Sequence, residues 1–415
     1  MAALRLSMRA VLAAACLAAL AACGKQDDAP APPAPPIAAG QDQLLRGRYL
    51  VQAADCAACH TAEGGAPFAG GVPLESPFGK FYGTNITPDA EHGIGDWSAD
   101  DFYAALHDGM TPDGPLYPAM PYTSYRQLSR ADSDAMYAYL RSIKPAAVPN
   151  REPELDFPYN MRFGVRFWNW LFLEDSLPDA SQGGSQAWLR GRYLAGALGH
   201  CAECHTPRGK LGQLDPDRPL QGGALGRILA PDISPAGLAG RGWTADDLDA
   251  LFATGIAPQG AAFDEMFPVV HLSTQYLSRE DVTALSTYLL GDHPPAPARA
   301  APATLEPRVR DSGKGLYVAL CAGCHGFDGQ GKPGVAVAMQ GNTALRDSNP
   351  HNLVAVMLDG IEAQDFPGTA AMQAMPGFAG TLTDAQAADL ANYLRAEWGG
   401  QAPTVTAESV QALRR

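Results

Sequence analysis

The sequence predicts an all-α protein built from three small tandem units, joined by linkers rich in proline and alanine. A Cys-x-x-Cys-His pattern recurs three times along the chain, and amphipathic helical patterns surround each copy. Alternating strand patterns are scarce, although FGKFYGTNITPD and LGRILAPDISP have the character of extended loops. The three copies are Cys56-Cys59-His60, Cys201-Cys204-His205 and Cys321-Cys324-His325.

Each unit contains the same order of helices. One helix leads into the cysteine motif, a second follows it, and a third closes the unit before the next linker. Ser98 in WSADDFYAAL and Thr244 in WTADDLDALF are predicted N-caps of the second helix, because a hydroxyl followed by acidic residues begins helices.

Length and charge restrict the class of protein. A chain of 415 residues is long enough for two to four domains. It carries 44 acidic residues against 30 lysines and arginines, a net charge of -14. Phosphate binding needs clustered positive charge, so a nucleic-acid partner is not expected.

Residues 1–23 have the pattern of an export signal, with two arginines followed by an uncharged apolar run. The run is too short to span a bilayer with confidence. Its end, LAACG, resembles a bacterial lipoprotein box, in which Cys23 becomes the lipidated first residue. Ordinary signal cleavage nearby is the alternative, and either route places the mature chain in an oxidising compartment outside the cytoplasm.

The spacing of the three motifs decides between several cysteine chemistries. A disulfide across two residues closes a small loop with little entropic gain, and a structural zinc site needs further ligands close by. A redox dithiol needs no histidine after it. Covalent haem attachment uses every residue: two thiols bind the porphyrin, and the next histidine ligates the iron. The sequence therefore predicts three haem c groups.

The sixth iron ligand is predicted from an internal alignment of the first two units. Met120 and Met266 each lie 23 residues after a matching tryptophan, Trp97 or Trp243. Met110 aligns with Ile256 and is therefore the second choice in its unit.

In the third unit, AMPGFAGTLTDAQ repeats the AMPYTSY pattern and selects Met375, with Met372 as its rival. Histidine and methionine together fill both axial positions and raise the reduction potential, so each unit is expected to relay single electrons. His200, His271 and His351 do not recur at equivalent places and are expected to be surface or hydrogen-bonded residues. An alternative function, that of a haem peroxidase, predicts that one of the irons has no methionine ligand.

The predicted domain boundaries follow these units. The ranges are a signal at 1–23, a proline-rich tether at 24–40, the first unit at 41–144, an aromatic connector at 145–185, the second unit at 186–292, a Pro/Ala linker at 293–307, the third unit at 308–398 and a tail at 399–415.

The whole chain after the signal resembles the tri-haem cytochrome c subunit of bacterial membrane-associated dehydrogenases acting on alcohol, gluconate and sugars. The resemblance is carried by GRYL, CAACHT, PFGKFYGTNITPD, LYPAMPYTSY, FPYNMRF, WNWLF, CAECHTPRGK and MPGFAGTLTDAQ. It implies three tandem class I cytochrome c domains with no catalytic site of their own. It also implies a flavoprotein, quinoprotein or molybdoprotein partner that oxidises CH–OH or aldehyde donors, and ubiquinone or a terminal oxidase as acceptor.

The resemblance further implies a place at the periplasmic face of the cytoplasmic membrane. Relatives commonly attach through a C-terminal amphipathic segment, whereas AESVQALRR is short, so a lipid anchor on Cys23 is expected instead. Two hypotheses remain for the chain: a subunit of a dehydrogenase complex, docked through the aromatic connector or a haem edge, or a free periplasmic multihaem carrier.

Overall fold

The computed structural model describes residues 43–173, 184–368 and 372–415. The predicted signal, Cys23 and the tether lie outside the described residues, as do Gln41, Asp42 and part of the connector. Within the described ranges, no helix is both long enough and apolar enough to cross a membrane.

The first unit and the connector combine helices with short strands. The helices are α1 (Gln43–Ala53), α2 (Cys56–His60), α3 (Ala99–His107), α4 (Tyr122–Tyr125), α5 (Arg130–Ser142) and, in the connector, α6 (Gly164–Phe172). The strands are β1 (Pro73–Ser76), β2 (Gly79–Tyr82), β3 (Met110–Thr111), β4 (Gly114–Pro115) and, in the connector, β5 (Glu154–Leu155). Strand β2 lies between β1 and β5 in an antiparallel sheet, and β3 pairs with β4.

The second unit repeats this order and adds one short helix between its first strand pair and its capped helix. Its helices are α7 (Gln186–Tyr193), α8 (Ala202–His205), α9 (Pro235–Gly240), α10 (Ala245–Thr254), α11 (Met266–Leu272) and α12 (Arg279–Leu290). Its strands β6 (Gln221–Leu225) and β7 (Ile228–Asp232) form one antiparallel pair, and β8 (Ile256–Ala257) and β9 (Gly260–Ala261) form another.

The third unit also has a lead-in helix, a motif helix and a closing helix. Its described residues contain a single pair of strands. The helices are α13 (Pro307–Leu320), α14 (Ala322–His325), α15 (Thr343–Arg346), α16 (His351–Asp359), α17 (Asp384–Leu394) and α18 (Ala407–Gln411), and the strands are β10 (Gly360–Ile361) and β11 (Met375–Pro376). Helix α18 belongs to the predicted tail. It packs on the unit, because Val405 and Val410 are buried in the same core as Leu390.

The all-α prediction is wrong. Of the described residues, 44% are helical and 11% lie in strands or bridges, so the fold is mixed α/β. The strands have two to five residues each, too short to produce a recognisable alternation of polar and apolar residues. Two of them, β2 and β7, lie in the segments that the sequence had marked as extended loops.

The predicted N-caps are confirmed. The Ser98 hydroxyl accepts a hydrogen bond from the Asp101 amide, and the Asp101 side chain accepts one from the Ser98 amide. Thr244 and Asp247 form the same reciprocal capping box at the start of α10. Such caps satisfy backbone donors that helices leave unpaired in their first turn.

A glycine lies where the lead-in helix of each unit crosses the closing helix. A Cβ atom on Gly47 in α1 would lie 2.0 Å from the Ala135 carbonyl oxygen of α5, and one on Gly191 in α7 would lie 1.9 Å from the Ala284 carbonyl oxygen of α12. In the third unit, a Cβ on Gly313 would lie 2.6 Å from the Asp389 carbonyl oxygen. The repeated glycines allow the two helix backbones of each unit to touch.

We expect Gly47→Ala or Gly191→Ala to destabilise the protein by about 1–3 kcal/mol, because the added methyl group forces the helices apart. Gly315→Ala is the matched control. Apart from its own helix backbone and its chain neighbours, no atom lies within 4 Å of its Cβ position, so this helical substitution should be neutral or stabilise by about 0.5–1 kcal/mol. Thermal unfolding of the three variants measures the difference, and an equal effect at Gly47 and Gly315 would contradict the close-crossing explanation.

The first two units share one hydrophobic core, whereas the third has its own. A single cluster of buried side chains includes Leu50 and Leu140 of the first unit and Leu198 and Leu290 of the second. A separate cluster surrounds Tyr317 in the third unit. The first two units therefore pack as one body around common apolar contacts.

The third unit contacts the second through polar groups and a small apolar cluster. The Asn352 side chain accepts from the Leu229 amide at 2.9 Å and donates to the Leu229 carbonyl oxygen at 2.7 Å. Arg227 and Asp359 form an ion pair at 2.6 Å. Phe366 packs against Val270 of the second unit.

Candidate functional site

The three cysteine motifs lie on short helices that begin directly after the lead-in helices. All six cysteines are free of disulfides. Burial raises the pKa of Cys56 and of Cys59 to about 12, so these thiols are protonated at neutral pH. Burial likewise raises the pKa of Cys201 to about 12 and those of Cys204 and Cys321 to about 11.

In the second unit, the segment between the crossing glycine and the cysteine motif is one residue longer than in the first. Cys56 lies nine positions after Gly47, but Cys201 lies ten positions after Gly191. The structure accommodates the extra residue in a π-helical turn at Leu194–Leu198, which is a usual result of a one-residue insertion in a helix. The glycine crossing and the cysteine motif are therefore both kept in place.

The motif histidines share a backbone hydrogen bond that sequence reasoning missed. The Nδ1 atom lies 2.5 Å from the Thr84 carbonyl oxygen for His60, 2.7 Å from Pro231 for His205, and 2.8 Å from Val337 for His325. A carbonyl can only accept, so Nδ1 carries the proton and Nε2 is left with its lone pair. The similar segments TNITPD and APDISP supply two of these carbonyls and were the only available sequence signal.

Burial also keeps these histidines neutral. It lowers the pKa of His60, His205 and His325, while the backbone hydrogen bond opposes that change. A neutral imidazole with Nδ1 occupied and Nε2 available is the form that ligates a metal. Within the described part of the chain, no hydrogen bond to Nε2 of these three residues is found.

The methionines predicted in the first two units lie in similar surroundings. Met120 and Met266 are both half-buried and pack against the shared core, as do Cys56 and Cys201. Met110 and Ile256 each begin the short strand that follows a helix-ending glycine, Gly109 or Gly255. The structure thus gives Met110 and Ile256 the same place in the fold, as their alignment requires.

The third unit differs at its methionines. Met375 lies in β11 and pairs with Ile361 of β10. Ile361 follows Gly360, the residue that ends α16, and so corresponds to Met110 and Ile256. Met372 packs instead against the apolar cluster of Ala262, Val270 and Phe366, where the third unit meets the second.

The residues present fit covalently attached haem. Each motif presents two thiols on one helical turn, and each histidine offers a free Nε2 beside an apolar core. The haem would be held by thioether bonds to the six cysteines and by iron bonds to histidine and methionine. These axial assignments remain predictions.

The three histidines that do not recur between the units have ordinary surroundings. His351 Nε2 lies 2.9 Å from the Arg227 carbonyl oxygen, and the His271 ring stacks on Phe267. His200 is adjacent to Cys201, and its ring meets the Tyr125 ring edge-on.

Comparisons with known proteins agree with this chemistry. A family model for cytochrome c matches residues 44–144 and 311–398. The chain is 36% identical over 400 residues to the cytochrome c subunit of the quinone-type alcohol dehydrogenase of Gluconobacter oxydans (strain 621H), covering 89% of this chain and 82% of that protein. It is 37% identical over 401 residues to the gluconate 2-dehydrogenase cytochrome c subunit of Pantoea cypripedii, covering 90% and 89% of the two chains.

A third relative is longer. It is one of the subunits of the nicotinate dehydrogenase of Pseudomonas putida, and it is 40% identical to this chain over 371 residues. The match covers 87% of this chain and only 31% of that protein.

Proposed function

Because the chain belongs to the family of cytochrome c subunits of dehydrogenases, we propose that it carries three haem c groups and relays electrons from a catalytic subunit to a respiratory acceptor. The observation that carries the proposal is the threefold Cys-x-x-Cys-His motif, in which every histidine directs Nδ1 to a backbone carbonyl. Cytochrome c chemistry and electron transfer follow from the family. The number of haems and their ligands are the proposal.

The chain's own residues would hold each haem in a defined way. Thioether bonds to Cys56 and Cys59, and to the corresponding pairs in the other units, would prevent loss of the cofactor outside the cytoplasm. The Thr84, Pro231 and Val337 carbonyls orient the imidazoles. Met120, Met266 and Met375 would close the sixth position. When bound, haem c supplies a one-electron couple whose potential is raised by methionine ligation.

The partner proposed here is a catalytic dehydrogenase subunit. The relatives are named as cytochrome subunits of alcohol and gluconate dehydrogenases, which supports oxidation of a CH–OH donor in another chain. The nicotinate relative leaves a molybdoprotein partner as an alternative to a flavoprotein or quinoprotein. Membrane ubiquinone or a terminal oxidase would accept the electrons, with the chain held at the periplasmic membrane face by lipid on Cys23.

Haem content tests the core of the proposal. The mature protein should exceed its polypeptide mass by three haem groups and retain all three tetrapyrroles after denaturation in alkaline pyridine. Fewer than three covalent tetrapyrroles per chain would contradict it. Purification of the native protein should bring a catalytic dehydrogenase with it, whereas isolation as a single chain would favour the free periplasmic carrier.

The connector presents an aromatic surface that we propose as the docking site of the catalytic subunit. Phe157 is 78% exposed, Phe163 74% and Trp170 76%, and Phe167 lies beside Trp170. The opposite side of α6 is fixed to the protein: Tyr122 donates to Asn169 at 2.7 Å, and Trp168 donates to the Leu211 carbonyl oxygen at 2.9 Å. Aromatic residues of this kind dominate binding energy at protein interfaces.

We expect Phe167→Ala with Trp170→Ala to weaken association with the catalytic subunit by at least about tenfold, because truncating interface aromatics typically costs about 2 kcal/mol or more. Haem content and thermal unfolding should not change, since both rings are exposed. Val148→Ala, an exposed position outside the aromatic surface, is the control. Loss of membrane association with intact binding of the catalytic subunit would assign the surface to the membrane instead.

A further inference from the structure

The first two units meet through a reciprocal set of buried polar contacts. Tyr193 of the second unit donates its hydroxyl proton to Asp132 of the first, with Oη 2.5 Å from Oδ2. Tyr49 of the first unit donates in the same way to Asp281 of the second. Each contact therefore has a counterpart with the roles of the units exchanged.

The residues that form the two contacts occupy equivalent positions in the two units. Tyr49 and Tyr193 are both the tyrosine of a Gly-Arg-Tyr-Leu segment. Asp132 and Asp281 both lie three residues after the serine that caps the closing helix, and both donate a hydrogen bond from their amide to that serine. Such an arrangement is that of a two-fold related pair, in which one patch on each partner contacts the same patch on the other.

Two further interactions complete each half of the set. The Ser129 amide donates to Tyr193 Oη at 3.2 Å, and the Ser278 amide donates to Tyr49 Oη at 3.1 Å. Each aspartate also pairs with an arginine of its own unit, Arg46 with Asp132 and Arg190 with Asp281. Asp132 is fully buried, and leaving a buried acid without partners would be strongly destabilising.

The tyrosines remain donors at physiological pH. Burial and the neighbouring carboxylate raise the pKa of Tyr49 and of Tyr193 well above the usual range of tyrosine. A tyrosine hydroxyl that donates to a carboxylate forms a charge-assisted hydrogen bond, which is stronger than a neutral one.

The third unit has neither the tyrosine nor the aspartate of these contacts. Its corresponding segment reads Gly-Lys-Gly-Leu, so Gly315 replaces the tyrosine. Gln386 occupies the position of the aspartate, three residues after the cap Thr383. The third unit is also the one that has a separate core.

The contacts bring the two cysteine motifs together. Glu203, between Cys201 and Cys204, accepts from the Thr123 hydroxyl of the first unit at 2.6 Å. The Tyr125 hydroxyl donates to the Ala54 carbonyl oxygen just before Cys56, while its ring meets His200 beside Cys201, with 5.6 Å between ring centroids. Any tilt between the units would therefore change the separation of the two attachment segments.

We propose that Tyr49 and Tyr193 are positioning residues that lock the first two units into a two-fold module and so fix the separation of their cofactors. The proposal rests on the proposed function, since it assumes haem in both units. The third unit lacks these tyrosine–aspartate contacts and joins the module through Asn352, the Arg227–Asp359 ion pair and the apolar cluster around Phe366.

The test compares Tyr49→Phe, Tyr193→Phe and the double variant in the full haem-loaded protein. Tyr82→Phe is the matched control, because its hydroxyl donates to Glu154 at 2.7 Å without reaching the second unit. Dipolar EPR of the oxidised protein measures the haem–haem distances. We expect the distribution of the shortest distance to broaden in the double variant, less in the single variants, and not in the control.

Amide hydrogen exchange provides a second readout that identifies each bond. Tyr193→Phe should accelerate exchange at Ser129, and Tyr49→Phe at Ser278, by roughly tenfold, the order of magnitude of a hydrogen bond to or beside a charged group. If the double variant does not fold, the haem–haem distances and the amide exchange of the two single variants test the proposal. If the variants carry three haems and their haem–haem distances and amide exchange are unchanged, the proposed role of Tyr49 and Tyr193 is wrong and the proposed function still stands. Fewer than three haems in the unaltered protein would contradict the proposed function itself.

Discussion

Replacing both Cys201 and Cys204 by serine is expected to reduce haem content from the proposed three groups per chain to two, and to destabilise the first unit together with the second. The physical reason is the shared core, in which Cys56 and Cys201 pack against one cluster of buried side chains. Loss of an apolar cofactor leaves a cavity, and truncating even one buried aromatic side chain costs about 3–5 kcal/mol.

The matched control is the same double substitution in the third unit, at Cys321 and Cys324. It should also remove one haem, but the first two units should unfold at their original temperature, because the third unit has its own core around Tyr317. Haem content is measured as pyridine haemochrome, and differential scanning calorimetry follows the separate transitions. Equal destabilisation of all units by both variants would contradict a core divided in this way.

Sequence reasoning located the repeated helices and their caps because each rests on a local pattern. Ser98 and Thr244 are hydroxyl residues followed three positions later by an acid, and the structure has the capping boxes at those places. Local hydrogen bonding is sufficient to determine where such a helix begins.

The strands could not be predicted in the same way. Met110 and Thr111 pair with Pro115 and Gly114 through a tight turn in which Gly114 has a positive φ, and two residues per strand carry no periodic signal. The carbonyls that orient the motif histidines were missed for a related reason. Val337 lies twelve residues beyond His325, and only the folded loop brings the two together.

The lock between the first two units was also beyond sequence reasoning. The repeat GRYL was recognised as part of the resemblance, yet nothing local indicates that Tyr49 bonds to an aspartate of the other unit, 232 residues away. Pairing of equivalent residues across two units depends on how the units dock. That arrangement comes from apolar surface shared between them.

With the proposed ligand set, substituting Met375 by alanine is expected to remove the sulfur ligand of one of three haem irons. The oxidised protein should lose about a third of its sulfur-to-iron charge-transfer absorption, and the potential of one haem should fall, because thioether ligation raises the reduction potential. Haem content should remain unchanged, since the proposed thioether links to Cys321 and Cys324 do not depend on methionine.

Met372→Ala is the control that the structure provides. Met372 packs against Ala262, Val270 and Phe366, so its truncation should weaken contact between the second and third units and leave the absorption band intact. A redox titration with optical detection distinguishes the two variants. Loss of the band in Met372→Ala with retention in Met375→Ala would transfer the ligand assignment to Met372.

The first unit allows the same comparison between two methionines. Met120→Ala should abolish one third of the band, whereas Met110→Ala should not, because Met110 occupies the place that Ile256 fills in the second unit. An isoleucine cannot ligate iron, and the two units share their fold at this point. A band lost from Met110→Ala would mean that the first two units use different positions for their sixth ligand, and the internal alignment behind Met120 and Met266 would fail.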